Sequence, residues 1–181
     1  MIRNFMQKGF TLIELLTTMS VIAIISAVVF ADFSGSEKRL ALKRSAYQVA
    51  QDLRETEEMA LASVSGADCG GGRSVCGFGL EFNAVQFPNS YLIFTDCSND
   101  CASSNYQYDI NDKSIKRIYL EKNIQIQGLS PSPLDIVFTA PDPVVWINKN
   151  NWGSEGIITL KTPQNETRVV RVNSVGMVAV E

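Results

Sequence analysis

Three patterns of apolar and polar positions follow one another along the chain. From Leu15 to Ala31 no charge interrupts the run, and between Ile22 and Phe30 only Ser26 is polar. As a helix rising ~1.5 Å per residue this run spans ~25 Å, or ~33 Å counted from Phe10, close to the ~30 Å of a bilayer's hydrocarbon. Past Phe33 the apolar residues recur at three- and four-residue intervals, at Leu42, Ala46, Val49, Leu53, Ala60 and Val64, the stripe of an amphipathic helix. Lys38, Arg39, Lys43 and Arg44 come first among the charges between them, and Asp52, Arg54, Glu55, Glu57 and Glu58 follow. No proline occurs before Pro88. The pattern therefore predicts one helix from Phe10 to about Ser63. Ser34-Gly35-Ser36 is its weak point, because glycine lowers helix stability by ~1 kcal/mol relative to alanine.

The third pattern begins after Ser65-Gly66-Ala67-Asp68-Cys69-Gly70-Gly71-Gly72, which ends the helix. Short β-type runs follow at 78–82, 91–95, 115–120, 124–127, 135–139, 157–161, 168–172 and 177–180, separated by turn residues such as Pro131, Pro133, Pro141, Pro143 and Asn173 to Gly176. The expected class is α+β: a long N-terminal helix, half membrane and half amphipathic, packed against a C-terminal antiparallel β-sheet head. The divisions fall at 1–9 for a leader, 10–33 for a membrane helix, 34–64 for its amphipathic extension and 65–181 for the head.

Composition narrows the chemistry. Removing residues 1–9, which hold Arg3 and Lys8, leaves 14 basic against 19 acidic residues, a net charge of −5 instead of −3. Such a balance does not favour nucleic acid, whose phosphates are neutralised by Lys and Arg. Histidine is absent, which removes Ser-His-Asp and Cys-His nucleophile arrangements and the commonest zinc and haem ligand. Gly70 to Gly72 lack the Lys-Ser/Thr that completes a phosphate-binding loop. No catalytic constellation stands out, and the chain is read as a non-enzyme. The four cysteines, Cys69, Cys76, Cys97 and Cys101, all lie beyond the apolar segment, where disulfides are favoured over a four-cysteine zinc site. Pairing within 69–76 and within 97–101, or crossed between the two groups, both remain open.

Arg3 and Lys8 precede the apolar run, placing the leader in the cytoplasm and the head outside. A secretory signal cut near Ala31, an uncleaved anchor and a buried soluble helix are the alternatives. Glu14 bears on all of them, because a carboxylate in an otherwise lipid-compatible segment is costly. The stretch Gly9-Phe10-Thr11-Leu12-Ile13-Glu14, with the leader charge before it and the apolar run after it, resembles the signal of type IV pilins and type II secretion pseudopilins. That resemblance implies cleavage between Gly9 and Phe10 by a membrane-embedded prepilin peptidase, N-methylation of Phe10, and a role for Glu14 in assembly. The partners it implies are other pilin or pseudopilin subunits, the inner-membrane assembly machinery and membrane lipid. The released Phe10 amine is a cation in an apolar setting, and Glu14 of a neighbouring subunit is the expected counter-charge.

The resemblance is strongest over residues 8–33. In the head, the ending from Arg168 to Val178 resembles the minor pilin and H-type pseudopilin group. Some DNA-uptake members carry arginines just after the glycine of this ending; here Met177 and Ala179 stand in those places. A structural, minor subunit is therefore expected, with a tip subunit capturing DNA or a surface ligand as the alternative. Asp96, Asn99, Asp100, Asp109, Asn111 and Asp112 offer hard oxygen ligands of the kind calcium takes. Some members of these families bind calcium, although the spacing matches no EF-hand and such residues also serve turns.

Overall fold

The computed structural model describes residues 9–62 and 69–181, with the backbone alone at 30–35. The leader up to Lys8 and the predicted helix end at Ser63 to Asp68, Val64 included, lie outside the described residues. The chain divides into two compact units, 1–37 and 38–181. Helix α1, Leu12–Leu61, contributes to both, and its backbone is helical through Ser34-Gly35-Ser36.

In the first unit, Leu12–Val29 is long and apolar enough to cross a membrane, and none of that span is buried among the described residues. Its large side chains point outward on every side, from Leu12 and Ile13 to Val28 and Val29. Three hydroxyls that would otherwise interrupt this surface bond back to the helix. Thr17 donates to the Glu14 carbonyl, Thr18 to Leu15 and Ser20 to Leu16, at 2.9–3.0 Å. Hydroxyls satisfied in this way are compatible with a medium that offers no hydrogen bonds of its own.

In the second unit, the stripe of α1 becomes one wall of a core. Leu42, Ala46, Val49, Leu53 and Ala60 are buried as their spacing predicts, joined by Ala50, Ser45 and Thr56. Both polar members have partners: Thr56 donates to the Asp52 carbonyl one turn back, and Ser45 Oγ accepts the Glu121 amide from the head. The other walls are two antiparallel sheets. In the first, β3 (Lys113–Tyr119), β2 (Ser90–Ser98), β1 (Ser74–Phe82), β5 (Leu134–Thr139) and β6 (Val145–Ile147) lie in that order. In the second, the order is β4 (Gln125–Ser130), β7 (Glu155–Lys161), β8 (Thr167–Asn173) and β9 (Val178–Val180). Phe78, Leu80 and Phe82 of β1, Leu134, Ile136 and Phe138 of β5, and Ile158, Leu160, Val170 and Val172 of β7 and β8 close on the helix stripe.

The eight expected strands are all present, and β6 is added between Pro143 and Asn148. The basic start of the amphipathic half of α1 pairs with loops between strands: Arg39 meets Glu166 at 2.8 Å and Arg44 meets Glu121 at 3.6 Å. Both arginines are well exposed, so each contact stabilises by about 0–1 kcal/mol.

Because strand side chains alternate, the five-stranded sheet has a second face, away from the helix. Part of that face is also buried. Leu92, Phe94 and Val137 on it are inaccessible or nearly so, and Tyr108 of the segment 99–112, a flap that joins β2 to β3, meets Phe94 edge-on at 5.1 Å. Gly79 makes the packing possible: a Cβ there would stand 2.7 Å from Phe94 Cζ and 2.9 Å from the Ile136 carbonyl oxygen. Gly79→Ala is therefore expected to destabilise the head by about 1–3 kcal/mol, the usual cost of overpacking, read as a lower midpoint in urea unfolding with an unchanged slope.

Candidate functional site

The first candidate site is the start of α1. Thr11 and Glu14 form a reciprocal cap. Thr11 Oγ1 accepts the Glu14 amide at 3.4 Å, while Glu14 Oε2 accepts the Thr11 amide at 2.9 Å and the Thr11 hydroxyl at 2.8 Å. This is a capping box, and it satisfies two amides that the first helical turn cannot pair internally. Its signature, Thr-x-x-Glu, is readable in the chain, yet the charge pattern alone treats Glu14 as unpartnered. The structure gives the carboxylate a local role beside any contact with another subunit. Oε1 takes no partner among the described residues. Gly9 and Phe10 precede the cap outside the helix and are exposed, and among the described residues nothing within 4 Å would oppose a Cβ at Gly9. Helix α1 begins two residues beyond Phe10, the residue that follows the expected scissile bond.

The second candidate is the flap and its anchorage. Cys69 is bonded to Cys97 and Cys76 to Cys101, the crossed alternative. Strand register explains the choice. Val75 lies opposite Cys97 and Gly77 opposite Asp96, so Cys76 is the extra residue of a β-bulge. A bulge re-aims its side chain, here toward the flap. Both bonds tie the entry to β1 to the end of β2 and the turn after it. Arg73 closes the same region, donating to the Asn111 carbonyl at 2.6 Å and the Cys69 carbonyl at 3.0 Å.

The oxygen-rich residues expected there are brought close, and most are occupied by neighbours. Asp96 takes the Ser104 hydroxyl on both carboxylate oxygens. Asp112 accepts the amides of Cys97 and Asp109. Asp109 accepts from Asn105 and the Asn111 amide, and Asp100 accepts the Ala102 amide, capping a short 3-10 turn at Cys101–Ser103. Asn99 lines a shallow hollow of about 210 Å³ together with Asp96 and Asp109. Among the described residues, no three His, Cys, Asp or Glu side chains gather as a metal site.

Two buried carboxyls beneath the flap titrate unusually. Burial pushes Asp96 up to about 6, against the pull of the Ser104 hydroxyl. Asp135, opposite Glu81 in the β1–β5 register, is pushed up to about 7 by burial and by the charges of Glu81 and Asp112, with the Tyr108 amide opposing. Its Oδ1 has no hydrogen-bond partner among the described residues. A folded-state value above the unfolded ~3.9 means that the native head holds these protons more tightly. The destabilising charge is absent below about pH 4 and fully present once pH has passed 6–7. Melting of the full chain in detergent should therefore occur at a higher temperature at pH 5 than at pH 8. Asp135→Asn should remove much of that slope by stabilising the protein at pH 8; an unchanged slope would contradict this account.

Near the chain's end, Arg171 is held by Glu155 at 3.3 Å and Glu181 at 3.2 Å. Arg168, three residues earlier, pairs with Leu160 in the β7–β8 register. The turn between β8 and β9 is built on Asn173, whose Oδ1 accepts the amides of Val175 and Met177. Gly176, at φ 85°, completes it and lies close to Glu57 of α1.

Residues 4–30 match the family model described as the prokaryotic N-terminal methylation motif. This span contains Gly9, Phe10, Thr11 and Glu14, and it supports a pilin-like family. No curated protein and no solved structure matches the chain. The motif and the exposed apolar helix together fit a membrane-anchored pilin that is processed by prepilin peptidase and assembles with other pilin subunits.

Proposed function

We propose that this chain is a structural, minor subunit of a type IV pilus or a type II secretion pseudopilus. Prepilin peptidase cuts between Gly9 and Phe10, and Phe10 is N-methylated. The helix then packs among the helices of other subunits, and Glu14 neutralises the amine of a neighbour. The observation that carries this reading is the junction itself: a Gly9-Phe10 segment outside the helix, a capped first turn holding the one carboxylate, and an apolar span left unburied among the described residues. Outward apolar side chains on every face need either lipid or other helices around them. Insertion supplies the first and filament assembly the second, so one surface serves both states.

The minor-subunit reading rests on the head's ending, a strand, a glycine turn and a last strand. Capture of DNA by this element is disfavoured, because Arg171 is already neutralised by two carboxylates. The part assigned to the chain is structural rather than catalytic. Purified filaments test the proposal. Mass spectrometry should find a peptide beginning at N-methylated Phe10, at a copy number well below that of the principal subunit. Filaments that lack it, or that contain only chains retaining residues 1–9, would overturn the reading, and a copy number equal to the principal subunit would overturn the minor assignment.

A further inference from the structure

The flap closes over carboxyl groups that its packing does not neutralise. Asp135 of β5 is 5% exposed, and its Oδ1 has no hydrogen-bond partner among the described residues. Strand register sets Glu81 of β1 directly opposite it, and like charges facing each other across a strand pair repel. Tyr108 of the flap bonds the Asp135 carboxylate through its amide, while its ring stands edge-on to Phe94. One flap residue thus both covers the acid and touches it. Asp96 of β2, 1% exposed, is held in the same manner earlier in the flap, by the Ser104 hydroxyl.

The charges around these two acids do not balance. Asp112 repels both, and Asp109 adds to it at Asp96. Arg117 of β3 and Arg73 act on their neighbours, Glu81 and Asp112. Strand β6, Val145–Ile147, brings no charge. The flap's ends are fixed, since Cys101 is bonded to Cys76 and Lys113 is paired with Thr95 of β2. Its middle is strained. Tyr106 holds φ 48°, a left-handed conformation that a bulky residue keeps only when its surroundings hold it there. Its ring lies on Trp146 at a centroid distance of 4.2 Å, and its hydroxyl donates to the Cys101 carbonyl at 2.9 Å. Lifting residues 102–112 relieves that strain and hydrates Asp135, and it leaves both disulfides and the helix–sheet core in place.

We infer that residues 102–112 form a lid that acid pH shuts and rising pH opens, with the proton on Asp135 as its latch. Under the shut lid the Asp135 carboxyl is pushed up to about 7 by burial and by Glu81 and Asp112; lifted into water it returns to the ordinary ~3.9. The shut state therefore holds the proton more tightly, and opening releases it. Opening becomes easier as pH rises from about 4 to 7 and gains nothing more from this group above that. Asp96, pushed up to about 6 by burial, acts in the same direction. An open lid bares Phe94 and Trp146 on the outer face of the sheet, so this side of the head changes from polar to apolar with pH.

The test follows hydrogen exchange of the full chain in detergent at pH 5 and pH 8, each rate divided by the intrinsic rate at that pH. On that scale, exchange across 102–112 is expected to be about tenfold or more faster at pH 8. It should also exceed that of α1 residues 42–60 at pH 8 and respond little to low urea, as a local opening does. Asp135→Asn cannot ionise and keeps an acceptor for the Tyr108 amide, so its flap should stay protected at both pH values. Glu81→Gln, at a half-buried position, removes the facing charge and should give a smaller pH response than the wild type. Acrylamide quenching is a second readout. Trp152, the other tryptophan, is 89% exposed, so Trp152→Phe leaves Trp146 as the sole fluorophore, and its quenching should rise with pH unless Asp135→Asn is also present. Equal flap exchange at the two pH values, or an undiminished pH response in Asp135→Asn, would overturn the inference. So would flap and α1 exchanging at one rate with one urea dependence, because the whole head would then be opening. None of these outcomes bears on cleavage or assembly.

Discussion

Glu14→Ala is expected to reach the membrane and lose its leader normally, yet to be nearly absent from filaments. The side chain does two things, and the structure allows them to be separated. It caps the helix by accepting the amide and hydroxyl of Thr11, and it carries the only charge between Phe10 and Ala31. Alanine removes both. Glu14→Gln keeps an acceptor oxygen for the Thr11 amide and deletes the charge, whereas Thr11→Ala deletes the cap's hydroxyl and keeps the charge. If Glu14 neutralises the amine of a neighbouring Phe10, Gln should assemble almost as poorly as Ala, and Thr11→Ala should assemble well. An unpaired amine in an apolar filament core is far more costly than a frayed first turn, which decides the order of effects. The measurement is the ratio of each variant in sheared filaments to the same variant in membranes. Wild-type incorporation of Glu14→Gln would reduce the residue to its capping role and end the pairing account.

The helix was legible because both of its signals are local. A charge-free run and a stripe at three- and four-residue spacing each declare themselves within a few turns. The buried Ser45 was not legible, since its hydroxyl is satisfied by the Glu121 amide from a distant part of the chain. In the head, eight strands could be read from β-type runs between turn residues. Strand β6 could not: three residues between Pro143 and Asn148 carry too little periodicity, and their pairing with β5 makes the strand. The flap was hidden for a related reason. Residues 99–112 are polar and turn-rich, yet they cover Phe94 because Gly79 on the neighbouring strand leaves room for its ring. Glu14 shows the opposite case. Its capping signature is present in the chain, but a charge in an apolar run says nothing of the hydrogen bonds that the carboxylate makes to Thr11.

Loss of the crossed disulfides should produce the largest stability change in the head. Each closes a long loop, with sequence separations of 28 and 25. Constraining the unfolded chain to that extent stabilises by about 3.5 kcal/mol per bridge. The two loops overlap along the chain, so the second bridge constrains an ensemble that the first has already narrowed, and the pair should contribute less than twice that amount. Cys69→Ser with Cys97→Ser is expected to lower the melting temperature by about 10 °C. Its effect should stop at stability, because Cys69 and Cys97 join the segment before β1 to the end of β2. The second bridge reaches further. Cys101 holds the Tyr106 hydroxyl through its carbonyl, so Cys76→Ser with Cys101→Ser should lower the melting temperature by a similar amount and also release the flap from the outer face of the sheet. Hydrogen exchange separates the two cases: faster exchange across 99–112 is expected in the second variant, with α1 residues 42–60 protected in both. Equal exchange in the flap of both variants would mean that packing of Tyr108 on Phe94, rather than the Cys76–Cys101 bond, holds it in place.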